Sequence, residues 1–155
     1  MAEIIVKPGL GMYKVGFTGT SKGMTPKQKQ QVRERLLAIK QEHPEGVEFR
    51  HGLCIGSDDQ AARIAKELGY YVIAHPGYNP RNPTSRLFRS DFDGNDEVRP
   101  EKPFVKRDHD IVDESDCMIG TPLGPEEVRS GTWTTLRYSK KKKKPRDIIY
   151  PTEKP

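Results

Sequence analysis

The sequence predicts an α/β fold, a single Rossmann-like three-layer domain on a mostly parallel sheet of about five strands. Three observations predict it. Short apolar runs alternate with segments of helical period, the pattern of βαβ units with right-handed crossovers. Several of those runs stop at polar, glycine-containing loops. The chain has 155 residues, the size of one ordinary domain, and we read 1–155 as that domain.

The elements follow in order. Tyr13-Lys14-Val15-Gly16-Phe17-Thr18-Gly19 reads as a strand ending at a glycine. A polar loop leads to Thr25-Pro26, an N-cap followed by proline at the first helical position. Val32, Leu36 and Ile39 then recur at helical spacing until Pro44 and Gly46. Residues 47–54 read as a second strand. Ser57 or Asp58 is the expected cap of a helix through Ala61, Ala62, Ile64, Ala65 and Leu68, closed by Gly69. Residues 70–74 form a third strand. Residues 76–103 hold five prolines and no period, so they predict a lid, a binding loop or a surface excursion. Helical spacing resumes over 104–114, and 116–121 is a fourth strand. A loop rich in Gly, Pro and Glu precedes a helix opening at Gly131-Thr132-Trp133. Residues 147–150 are the last strand, before a polar tail.

Composition sets limits. Hydrophobic residues make up 33% and charged residues 32% of the chain, with a net charge of +5. Residues 140–144 are five consecutive lysines, so the positive charge is local. A lysine run at a helix end stabilises the helix dipole, and no aromatic platform accompanies it in sequence. That disfavours nucleic acid as the partner. Cys54 and Cys117 both fall in apolar runs and read as small buried thiols. No His/Cys cluster has zinc spacing, so neither a metal nor another cofactor is expected. No signal peptide is evident and no apolar run approaches bilayer length. A reducing, cytoplasmic setting away from membranes is the expectation.

In a parallel α/β sheet, ligands bind beyond the carboxyl ends of the strands. Candidate anion-binding residues sit at three such ends. Gly19, Thr20, Ser21 and Lys22 follow the first strand, Gly56 and Ser57 the second, and Ser130, Gly131 and Thr132 open the helix after the fourth. Main-chain N–H groups at a helix start, with hydroxyls and a lysine, suit phosphate. Neither the P-loop pattern nor Gly-x-Gly-x-x-Gly is present. Each loop taken singly also reads as a capped helix. Arg107 is the fourth candidate, because a guanidinium fork suits bidentate anion contacts. Asp58 and Asp108 are the candidate catalytic carboxylates.

Three motifs resemble the SLOG superfamily of Rossmann-like nucleotide-binding proteins, which includes the LOG-type phosphoribohydrolases and the DNA-processing protein DprA. They are Val15-Gly16-Phe17-Thr18-Gly19-Thr20, His51-Gly52-Leu53-Cys54-Ile55-Gly56-Ser57-Asp58 and Ser130-Gly131-Thr132-Trp133. Arg107-Asp108 resembles an Arg-Asn pair that precedes the fourth strand in relatives. The resemblance implies a nucleotide or nucleotide-derived ligand, held by a sensor, carrier or sponge, and a homodimer. LOG enzymes carry Pro-Gly-Gly-x-Gly-Thr-x-x-Glu with a catalytic glutamate. Here Glu127-Val128-Arg129 replaces Pro-Gly-Gly, and Thr135 stands at the glutamate position. The alternative function, hydrolysis or deoxyribosyl transfer at an N-glycosidic bond, therefore needs another carboxylate. Asp58, Asp59, Asp108, Glu126 and Glu127 are available.

Overall fold

The computed structural model describes residues 11–152; the opening ten residues and the last three of the polar tail lie outside the described residues. Strand β1 (Tyr13–Gly19) leads to helix α1 (Pro26–Glu42), β2 (Val47–His51), α2 (Ser57–Glu67) and β3 (Tyr71–Ala74). Three two-residue strands follow, β4 (Gly77–Tyr78), β5 (Glu97–Val98) and β6 (Lys102–Pro103). Then come α3 (Phe104–Glu114), β7 (Cys117–Thr121), α4 (Gly131–Lys141) and β8 (Arg146–Ile148).

The main sheet has six strands in the order β5-β3-β2-β1-β7-β8, all parallel. One more strand is present than the sequence predicts, because β5 comes from a segment without period. Its place beside β3 is set by Asp96, whose carboxylate accepts from the Val72 amide at 2.8 Å and from Lys66 Nζ at 2.8 Å. β4 and β6 form a separate parallel pair.

The core lies mainly on one face. Val15 and Phe17 of β1, Phe49 of β2 and Val72 of β3 alternate inward against Val32 and Leu36 of α1 and the alanines of α2. This is the period-2 pattern of strands meeting the 3.6 period of helices. Ala61, Ala62 and Ala65 are fully buried, so α2 approaches the sheet closely, as their small size predicts. On the other face Ile111 and Val112 of α3 pack on Met118 of β7 beside Tyr138 of α4.

Helix ends follow local chemistry at α1 and depart from it at α2. Thr25 caps α1 in a reciprocal box with Gln28, with Pro26 at the first position. The cap of α2 is Gly56, with no side-chain bond, rather than Ser57 or Asp58. Tertiary contacts have taken both side chains. Ser57 Oγ donates to the Thr20 carbonyl at 2.7 Å, and Asp58 reaches back to the amides of Gly52 and Cys54. β2 likewise ends at His51, so Cys54 lies in the loop and is half-buried, whereas Cys117 is buried in β7. Among the described residues no helix is long and apolar enough to cross a membrane.

Candidate functional site

The strand order reverses between β1 and β7. Chain progression runs outward through β2 and β3 on one side, then through β7 and β8 on the other. The loops leaving β1 and β7 therefore part at their carboxyl ends and leave a crevice, the usual ligand position in open α/β sheets. The crevice has two lobes sharing Gly52, Cys54, Phe88, Phe104 and Arg107. The larger lobe, about 340 Å³, lies over β1 and the start of α4. The smaller, about 200 Å³, lies under residues 77–89.

The structure brings together Gly19, Thr20, Ser21, Asp58, Arg107, Asp108, Ser130, Gly131 and Thr132 around the larger lobe. It leaves out Lys22, Gly56 and Ser57, which do not line it. Lys22 is exposed. Gly56 and Ser57 stand behind the β1–α1 loop and hold it. The Ser57 amide donates to Thr20 O at 3.1 Å, which closes the N-terminus of α2 with a protein carbonyl. Gly56 has φ +80, and a Cβ there would sit inside the Ser21 carbonyl, so only glycine allows that approach. Those two residues support the site from behind rather than facing a ligand.

The N-terminus of α4 is arranged differently. Ser130 caps the helix by accepting from the Trp133 amide at 3.2 Å. The amides of Gly131 and Thr132 are the first of the helix and have no intrahelical acceptor. Nothing lies within 4 Å of a Cβ built on Gly131. Gly131 thus has open space before it at the positive end of a helix dipole, and Gly131 and Thr132 line the lobe together with Thr20 and Ser21.

Arg107 is buried and largely occupied. Its Nη1 donates to Gly52 O at 2.5 Å and His75 O at 3.1 Å, and its Nε to Asp108 Oδ1 at 2.6 Å. Only Nη2, with a weak contact to Cys54 Sγ at 3.9 Å, remains to meet a ligand. A bidentate anion grip is therefore not available without giving up a backbone contact. The guanidinium ties the ends of β2 and β3 to α3 and presents one donor edge to the crevice.

Asp58 and Asp108 flank this arginine. Asp58 Oδ2 accepts from Gly52 N at 3.0 Å and Cys54 N at 3.4 Å. Its other oxygen makes no hydrogen bond among the described residues. Burial raises the Asp58 pKa to about 6 against the pull of Arg107. Burial also raises that of Asp108, opposed by Arg107 and by the Thr135 hydroxyl. Of the other carboxylates offered by the sequence, Asp59 pairs with Arg63 at 2.7 Å and accepts from Ser90 at 2.5 Å. Glu126 pairs with Arg137 at 3.0 Å, and Glu127 is exposed. None of these three lines the crevice.

Sequence reasoning missed several lining residues. Cys54 was assigned to a strand. Burial pushes its thiol up to about 12, so it stays protonated and lacks thiolate reactivity. Thr135 also lines the lobe. Phe88 came from a segment without period, and Phe104 opens a helix that was read from the spacing of Val105, Ile111 and Val112 and from its charges. A Leu-Phe pair alone in a polar stretch was the available signal. Among the described residues no three His, Cys, Asp or Glu come together to hold a metal.

No family model matches the sequence, and no curated protein matches it. Solved structures do match, and their class is the Rossmann-like α/β fold just described. One is a molybdenum cofactor binding protein from the phototrophic bacterium Rippkaea orientalis, with TM-score 0.67 at 19% identity over 93% of this chain and 80% of that one. Another is a Moco carrier protein from Chlamydomonas reinhardtii, with TM-score 0.59 at 20% identity over 89% and 76%. A third is DNA processing protein A from Helicobacter pylori, described for its single-stranded DNA binding mode, with TM-score 0.57 at 18% identity over 91% and 66%. DprA belongs to the group that the sequence motifs resemble. At these identities the likeness is one of fold.

Proposed function

We propose that this protein binds a phosphate-bearing nucleotide or nucleotide-derived ligand in the crevice and holds it without cleaving it. The observation that carries this is the open N-terminus of α4. Gly131 and Thr132, whose amides have no intrahelical acceptor, line a lobe together with the hydroxyl residues Thr20, Ser21 and Ser130, with free space in front of Gly131. Such a helix end binds an anion without any further charged group. The loss of a glutamate at Thr135 supports holding over cleavage. Thr135 is buried, and its hydroxyl donates to Gly131 O at 3.1 Å, within the first turn of α4. That two of the fold's neighbours are described by a cofactor they bind or carry supports a small-molecule cargo.

The test is a panel of 5′-mononucleotides, nucleosides, cyclic nucleotides and ADP-ribose, scored for thermal shift and for released base. The expected result is a shift from at least one phosphate-bearing compound and no released base. No shift from any of them overturns the reading.

One observation favours a second reading, an enzyme at an N-glycosidic bond. Asp58 and Asp108 both line the lobe, and both are pushed toward the protonated form. Such chemistry needs a carboxylate to support or attack an oxocarbenium-like centre. Released base that disappears in Asp58→Asn, in a protein of undiminished stability, establishes this reading instead. A homodimer and a cytoplasmic setting remain part of the proposal and are checked by light scattering and by fractionation. Single-stranded DNA is the competing macromolecular partner, and it belongs in the same panel as a short oligonucleotide.

A further inference from the structure

The second lobe differs from the first in chemistry, and that difference points to what it takes. Arg86 and Arg89, the two arginines that line this lobe and not the other, are each paired within the protein. Arg86 donates through Nη1 to the carbonyls of Pro83 and Ser85 at 2.8 and 3.0 Å, and through Nη2 to Glu101 at 3.2 Å. Arg89 Nη2 donates to Gly77 O at 2.9 Å and to Glu101 at 2.5 Å. One carboxylate therefore bridges both guanidinium groups, and the cationic edge left to this lobe among the described residues is the Arg107 Nη2 that it shares with the larger lobe. What it offers is apolar surface from Leu53, Leu87, Phe88 and Phe104, with the carboxamides of Asn79 and Asn82. Asn79 uses its oxygen on the Arg81 amide at 2.9 Å. Its NH₂ and the whole Asn82 carboxamide have no partner among the described residues.

Phe88 is 51% exposed and Leu87 75% exposed. The main chain at Phe88 is nonetheless fixed by backbone bonding. Ile55 N donates to Phe88 O at 2.9 Å, Ser90 N to Leu53 O at 2.9 Å, and Cys54 bridges Arg89 in antiparallel fashion. The main chain under the Phe88 ring is thus held in place, and the ring stands half in water between the two lobes. Phe104, the other ring shared by the lobes, already has the Arg107 guanidinium over one face at 5.3 Å. Phe88 thus supplies the available flat platform, and unpaired carboxamides stand in the same lobe.

We propose that the ligand is a phosphate ester of a planar nitrogen heterocycle. Its phosphate lies at Gly131–Thr132, and its ring stacks on Phe88 with its polar edge toward Asn79 and Asn82. This rests on the ligand-binding reading given above and adds which end of the ligand each lobe takes. Stacking on an aromatic side chain is tolerant of base identity, so a carboxamide edge is the source of any preference.

Isothermal titration of wild-type protein and Phe88→Ala with the four ribonucleoside 5′-monophosphates and with ribose 5-phosphate tests the assignment. Wild-type protein is expected to bind at least one mononucleotide about tenfold more tightly than ribose 5-phosphate. Phe88→Ala is expected to weaken that mononucleotide about tenfold more than it weakens ribose 5-phosphate. Because Phe88 is half-exposed, the variant folds, and its melting temperature verifies this. Phe88→Leu, which keeps apolar area without a flat face, falls between the two. Equal affinities for base-bearing and base-free phosphates, or equal losses in the variant, overturn the assignment while leaving the phosphate site standing. Absence of binding by every phosphate-bearing probe overturns both.

Discussion

Helices α2 and α4 begin alike and end up opposite. Each follows a sheet strand, starts with a glycine beside a serine, and aims its dipole at the same crevice. At α2 the Thr20 carbonyl accepts from both the amide and the hydroxyl of Ser57, so the helix end is already occupied. At α4 the cap hydroxyl serves the Trp133 amide and the cap carbonyl serves Thr134, while the Gly131 and Thr132 amides have no intrahelical acceptor and space is open before Gly131. The difference teaches that a helix N-terminus becomes a binding site only when the fold leaves its donors unanswered. It also separates two glycines: Gly56 is held in close packing, and Gly131 has open space before it.

The largest expected effect comes from breaking the closed end. Gly56→Val adds a β-branched side chain at φ +80 and drives it into the Ser21 carbonyl. Strain and overpacking together cost roughly 4 kcal/mol, a large part of a domain's stability. Thermal denaturation is expected to show a collapse of the transition, and a melting temperature near wild type would show the closed end to be adaptable. Gly131→Trp is its counterpart. Space is free there, so the melting temperature should stay within about 3 °C of wild type. Affinity for the best mononucleotide should fall at least about 100-fold, ~2.7 kcal/mol. Retained affinity would remove α4 from the site.

A third, smaller effect sharpens the link between the two helices, since Asp58 belongs to α2 but faces the lobe that α4 opens. Its folded pKa lies near 6, above the ordinary 3.8. A raised carboxylate binds its proton more tightly in the folded state, so stability is lost as pH rises from about 4 to about 6. Asp58→Asn lacks that ionisation and retains an acceptor for Gly52 and Cys54. The stability of the variant relative to wild type, read from denaturation at each pH, should therefore rise between pH 4 and pH 7 by about 3 kcal/mol. A difference independent of pH would mean that Asp58 is not held as described.

The smallest effect concerns the lysines. α4 is 11 residues long, about 16 Å, and the lysines lie at the end remote from the crevice. Their work is local. The Lys142 amide donates to Tyr138 O at 2.9 Å, and its ammonium lies 5.5 Å over the Tyr138 ring. At that separation, beyond a Debye length of ~8 Å, Lys141→Gln with Lys142→Gln should alter mononucleotide affinity by less than about twofold. A larger loss at 0.15 M salt would show that the run reaches the ligand.

Much of the fold was legible in the sequence. The short strand runs around Phe17 and Ile119, the helical spacing of Val32 and Leu36, and the Thr25-Pro26 cap all report local physics that the structure preserves. β5 was not legible, because two residues carry no period and its pairing depends on Asp96 reaching Val72. Within the crevice, Gly131, Thr132, Asp58 and Asp108 were legible as polar groups at strand ends. Phe88 was not, since it is brought over the lobe by bridging to a loop more than thirty residues earlier in the chain.

By itself the sequence determined where strands and helices form, which faces they bury and that polar, glycine-rich turns gather at one edge of the sheet. These follow from spacing and residue type, which act within a few positions along the chain. Only the tertiary structure decided which of those turns stay open. A free amide and one satisfied by a distant carbonyl belong to the same sequence pattern, and they differ only in what the rest of the chain places in front of them.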